Sequence, residues 1–110
     1  MYQKELLKGN TETLILSLLS EGQMYGYQIV KEMRNRSSGY FRFKEGTLYP
    51  ALHRLEKSGL VQGQWKEAES GVPRRYYAMT PQGQQVLSER LDEWRRFSQA
   101  VNLIMMPGTS

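Results

Sequence analysis

The stretch from Thr80 to Gly108 limits what this chain can fold into more than any other. Thr80-Pro81 starts a helix: the threonine hydroxyl accepts from an early backbone N–H, and a proline at the first helical position gives up a donor the helix does not use. Pro107-Gly108 stops it. A helix from Pro81 towards Met106 spans about 39 Å at 1.5 Å per residue. Along it Leu87, Leu91, Trp94, Ser98, Val101 and Met105 recur at spacings of 4, 3, 4, 3 and 4. This is an apolar stripe with one polar gap, widened by Phe97 and Ile104. The chain has 110 residues, and a compact domain built from residues 1–79 is narrower than this helix is long. One end of the stripe therefore projects, and an exposed stripe of this kind is a surface for a partner. A second copy of the same helix is the simplest partner; folding back onto its own core is the alternative. The expected division is a domain over 1–79, a dimerisation helix over 80–106 and a tail over 107–110. Leu87, Leu91, Trp94, Val101 and Met105 are expected at the dimer interface.

The domain before the helix reads as a series of short elements. Leu14, Ile15, Leu18 and Leu19 form a helical stripe, with Asn10 or Thr11 to cap it and Glu21-Gly22 to end it. Tyr25 to about Met33 is a second helix, broken by Gly39. Tyr40-Phe41-Arg42-Phe43 alternates in aromatic weight, which predicts a short strand. A third helix follows, with Leu48, Leu52 and Leu55 on one face, Pro50 expected in the first turn, and Gly59 as its stop. Leu60 to Lys66 and Arg74 to Met79 read as strands, with Val61 and Trp65 sharing a face. The polar link Glu67–Pro73 makes them a hairpin with a loose tip.

Charge is distributed unevenly over these elements. The whole chain carries a net +4, from 15 Lys and Arg against 11 Asp and Glu. Residues 31–57 alone hold seven basic and three acidic groups, so the excess lies in that one stretch. Concentrated Lys and Arg displace counterions from a polyanion, so local charge matters more than the total. Other chemistries are excluded or poorly served. No cysteine means no disulfide, thiolate metal site or cysteine nucleophile, and the single histidine, His53, cannot make a multi-histidine site. The carboxylates are scattered among bases, and there is no glycine-rich phosphate loop. The reading is a protein without enzymatic activity or cofactor. The longest apolar runs, such as Leu103–Met106, fall far short of the ~18 residues of a membrane span. Residues 1–8 carry an acid and lack an extended apolar segment, so no signal peptide is expected and a cytoplasmic location is.

The order helix, helix, short strand, helix, strand, strand is that of a winged helix-turn-helix, a mainly α fold with a small β-hairpin, in which the third helix enters the major groove of DNA and the hairpin, or wing, reaches the backbone or minor groove beside it. With Leu48, Leu52 and Leu55 turned inward, Gly46, Pro50, His53 and Lys57 point outward, Thr47 and Arg54 lie on one flank and Tyr49 on the other. These hydroxyl, imidazole, guanidinium and ammonium groups suit phosphates and base edges. Thr47, Tyr49, His53 and Arg54 are expected at the major groove, and Lys44, Arg74 and Arg75 at phosphates.

Several motifs resemble one family. The run Gly46-Thr47-Leu48-Tyr49-Pro50-Ala51-Leu52-His53-Arg54-Leu55-Glu56-Lys57-Ser58-Gly59-Leu60-Val61 is similar to the signature of PadR-family transcriptional regulators. So are Tyr25-Gly26-Tyr27, Arg74-Arg75-Tyr76-Tyr77 and Thr80-Pro81-Gln82-Gly83, in matching order and spacing over roughly residues 9–100. The resemblance, to the small-chain subgroup with a single C-terminal dimerisation helix, implies a homodimeric repressor of promoters carrying inverted repeats. It also implies release by a small phenolic or hydrophobic effector, with Trp94 at the place of a tryptophan that lines a pore in the dimer interface. From a different class, the alternative is a winged-helix module that binds a protein and has no DNA role. Such binding would be indifferent to salt and to DNA sequence.

Overall fold

In the computed structural model, residues 9–108 are described. Residues 1–8, read above as lacking a signal peptide, lie outside them. Helices α1 (Thr11–Leu19), α2 (Gly26–Arg36) and α3 (Glu45–Lys57) surround one core. Strands β1 (Met24–Tyr25), β2 (Val61–Glu67) and β3 (Pro73–Met79) form an antiparallel sheet of order β1-β3-β2. Helix α4 (Pro81–Met105) follows. The core is built from the apolar periodicities: Ile15, Leu16, Leu18 and Leu19 of α1, Ile29 and Met33 of α2, and Leu48, Ala51, Leu52 and Leu55 of α3. Val61, Tyr77 and Leu87 close it from the sheet and from α4.

Two of the turns that fix the element angles are polar constructions. Gln28 Oε1 accepts the Tyr25 N–H at 3.0 Å, which ties β1 to the first turn of α2. At the start of α4, Thr80 Oγ1 accepts from the Gly83 N–H at 3.0 Å and donates to the Gly59 carbonyl at 2.7 Å. The Thr80 N–H reaches the Leu60 carbonyl at 3.0 Å. A Cβ on Gly83 would come 2.1 Å from that same Leu60 oxygen. The start of α4 is thus held against the turn between α3 and β2, at a distance that only glycine allows.

Several expectations are corrected. Tyr40–Phe43 is not a strand. The free edge of β3 is occupied by β1, in register Met24↔Tyr77 and Tyr25↔Tyr76. The aromatic run serves packing instead: Phe43 is buried and Phe41 lies against the core. Asn10 stands at the cap position of α1 but makes no side-chain cap bond. Pro50 is not in the first turn, because α3 begins at Glu45 and proline occupies its sixth position. The Gly46 carbonyl therefore has no i+4 amide to accept from. Val61 and Trp65 share a face by alternation, yet Val61 is buried and Trp65 exposed, because β2 and β3 run past the core. Leu87 is 2% exposed within the single chain, so its side chain is spent on the chain's own core and is removed from the expected dimer interface. Leu91 is half-buried against the same core.

The rest of α4 leaves the globule. Extents of 55 × 29 × 21 Å and a radius of gyration of 15.6 Å exceed the ~13 Å of a compact domain of this length. Among the described residues, no helix is long and apolar enough to cross a membrane.

Candidate nucleic-acid interface

Alternation of buried and exposed positions turns one strip of α3 outward. Thr47, Tyr49, Pro50, His53, Arg54 and Lys57 are exposed, with Lys44 at the N-cap, while Leu48, Leu52 and Leu55 hold the opposite side in the core. Tyr49, His53, Glu56 and Lys57 of α3 face Arg75 and Tyr77 of β3 across an open crevice. The helix strip and the wing therefore border one surface. Burial pushes the Tyr77 phenol above its ordinary value, so it stands there as a neutral hydroxyl.

The expected contact residues differ in how they are held. Tyr49 Oη sits over the start of α2, where a Cβ on Gly26 would lie 2.3 Å from it. That close approach ties the Tyr25-Gly26-Tyr27 motif to the flank of α3. Arg54 Nε donates to Glu12 Oε2 at 3.2 Å with the arginine still 58% exposed, so its flank faces α1. Arg74 and Arg75 are successive strand residues and point to opposite faces of the sheet. The Arg74 guanidinium lies 4.4 Å from the Tyr25 ring centroid, and its buried Nε has no hydrogen-bond partner. On that outer face Tyr25 and Tyr76 meet edge to face at 5.3 Å, and Lys66 donates to Gln23 Oε1 at 2.8 Å. Arg75 is on the crevice side and donates to Glu56 Oε2 at 2.6 Å. The two arginines are therefore not a matched pair at one site. Glu56, Gly63, Lys57 and Lys66 were not among the expected site residues. The one signal that marked Gly63 was a glycine inside a strand, where a close approach by another group is the usual reason.

A family model, transcriptional regulator PadR-like family, matches residues 15–89, from the middle of α1 to the first turns of α4. The chain belongs to the PadR-like family. It is 31% identical over 86 residues to transcriptional regulator Rv3488 of Mycobacterium tuberculosis, covering 78% of this chain and 77% of that one. A PadR-like transcriptional regulator from Bacillus cereus superposes with a TM-score of 0.83 at 32% identity, over 93% of this chain and 97% of the other. A transcriptional regulator from Clostridium thermocellum also gives 0.83, at 36% identity, over 92% and 98%. PadR-like proteins are DNA-binding regulators and not enzymes. The α3 strip and the wing of this PadR-like chain are accordingly its candidate DNA-binding surface. Members are typically dimeric, and here the projecting half of α4 carries Trp94, Phe97, Leu103, Ile104 and Met105 all more than half exposed. Trp94 and Phe97 lie with ring centroids 6.0 Å apart.

Proposed function

We propose that the chain is a homodimeric transcriptional repressor that places α3 of each protomer in a major groove of an inverted-repeat operator. The observation that carries this is the exposed, carboxylate-poor strip of α3 bordering the wing on one surface. Thr47, Tyr49 and His53 face base edges, joined by Arg54 from the α1 flank. Lys44 at the start of the helix and Arg74 from the wing neutralise phosphates. Arg75 was expected with them, but its guanidinium already has a carboxylate partner. Two α3 helices related by a dimer axis reach half-sites about 34 Å apart.

The apolar stripe supports the dimer. Trp94, Val101 and Met105 with Phe97 and Ile104 meet the same surface of a second chain, because Trp94, Phe97, Ile104 and Met105 are each more than half exposed in the single chain and Val101 is half-buried beside them on the stripe. The Trp94–Phe97 pair supports a small aromatic or hydrophobic effector between the two helices. Such a ligand shifts DNA affinity only as far as it binds the two dimer geometries differently. A Trp94 fluorescence screen against planar phenolics, with Trp65→Phe removing background, tests this; no quenching by any of them removes the effector reading.

A mobility shift on the chain's own upstream DNA tests the central reading. Binding falls steeply with salt, and Lys44→Gln lowers the slope of log K against log salt by about 2 for a dimer, about 0.9 per lost phosphate contact. Binding indifferent to both salt and sequence points to a protein-binding module instead.

A further inference from the structure

Two cations of the candidate surface have a carboxylate partner on another element, and Arg75 is held more closely and is less exposed than Arg54. Its strand partner across the ladder is Trp65, and Gly63 lies opposite Tyr77. The guanidinium carbon stands 5.8 Å from both the Trp65 and the Tyr77 ring centroids. From there Nη2 donates to Glu56 Oε2 at 2.6 Å, with the two side chains 32% and 30% exposed. The side chain thus starts on β3, crosses β2 and ends on the last turn of α3. It crosses at Gly63, where a Cβ would come 2.6 Å from Nη2 and 2.8 Å from Cζ and Nε. Any other residue at 63 blocks that path. A cation meant to neutralise phosphate gains nothing from a built-in carboxylate, whose charge cancels its own and repels the polyanion. A short, half-buried, charge-assisted hydrogen bond between two elements instead fixes their relative angle.

We propose that Arg75 and Glu56 are a positioning pair that sets the angle of the wing against the recognition helix, and that Gly63 is the gap that lets the pair form. This rests on α3 and the wing being the DNA surface. It differs from a phosphate role for Arg75 in sign: removing the Glu56 charge weakens DNA binding, although it makes the surface more positive.

The test uses the full chain and a duplex that the wild type enriches from a random pool, with a scrambled duplex as control. If the wild type enriches no sequence, the DNA reading fails and this proposal falls with it. If it does, Glu56→Gln weakens binding to the enriched duplex about tenfold, near the lower end of what a hydrogen bond to a charged group contributes. Its salt slope stays at the wild-type value and its affinity for the scrambled duplex does not fall, which a general loss of structure would not allow. Arg75→Lys keeps the charge but loses the guanidinium reach, and it gives the same pattern should Glu56→Gln not fold. Equal or tighter binding by Glu56→Gln overturns the proposal, as does wild-type affinity in Arg75→Lys. So does a slope lowered by about 2 in Arg75→Gln, the signature of a lost phosphate contact in each protomer.

Discussion

At Gly26 and Gly83 a missing side chain decides where a neighbour goes, and the two differ in what the neighbour is. A Cβ on Gly83 meets the Leu60 carbonyl, which is backbone and cannot step aside without moving the turn after α3. Gly83→Ala therefore destabilises by about 1–3 kcal/mol, the usual cost of overpacking, even though alanine is the better helix former. Thermal unfolding at fixed protein concentration reads this as a melting temperature lower by roughly 5–15 °C. At Gly26 the obstacle is the far end of the Tyr49 side chain, which is 44% exposed and can swing outward. Gly26→Ala is expected to leave stability nearly unchanged and to weaken DNA binding severalfold by displacing Tyr49. Unfolding and mobility-shift measurements on the same preparation separate the two. Neither constraint was legible as a distance in the sequence. The motifs Tyr25-Gly26-Tyr27 and Thr80-Pro81-Gln82-Gly83 stood out as runs, but the atoms facing each glycine come from residues 49 and 60.

Elements follow their local signals closely where the signal is periodic or a cap. The start of α4 was readable because Thr80 and Pro81 act within one turn, and the Thr80 side chain does accept from Gly83. Thr80→Ala removes that bond and the one to Gly59, and is expected to cost about 1–2 kcal/mol in chemical denaturation. The second helix was foreseen to about Met33 and runs to Arg36. There Arg36 binds Glu21 and Glu32 together, an arrangement between α2 and the turn after α1. The Arg36 guanidinium holds the Glu21 carboxyl below its ordinary value. A carboxylate with a depressed folded pKa adds stability that is complete above its unfolded value, near 4.5, and is lost as pH falls through the lower folded one. Arg36→Gln should therefore lower the melting temperature above about pH 5, where the ion pair is intact, and flatten its fall between about pH 5 and pH 3, where carboxylates titrate, so that the two proteins converge at the acid end. Where pattern misled, the cause was competition. Tyr40–Phe43 has strand-like composition, but β3 is the central strand and the edge that β2 leaves is taken by β1.

For the whole molecule, shape carries the argument. The first turns of α4 complete the core through Gly83 and Leu87, and the last turns reach beyond it with Ile104 81% exposed. The projecting stripe is expected to hold two chains together. Sedimentation at tens of micromolar should find wild type as a dimer and Trp94→Ala or Leu103→Asp shifted towards monomer. The winged domain of each variant should keep its helical signal, because these side chains lie outside the core. A wild-type chain that sediments as a monomer rejects the dimer. The net +4 of one chain doubles in a dimer, and the twofold axis would bring both α3 strips to one side.

The sequence by itself determined the number and order of the main helices, the hairpin, the inward faces of α1 and α3, the apolar stripe of α4, and the concentration of basic charge around α3. These depend on periodicity, caps and composition, which act over a turn or two of chain. The tertiary structure alone decided which arginine has a partner. Arg54 meets a carboxylate 42 residues away and Arg75 one 19 residues away, on elements that nothing local connects. It also decided that Leu87 faces inward to its own core while Trp94 on the same stripe does not. One helix leaves the globule between them, and where it leaves depends on how wide the packed domain is.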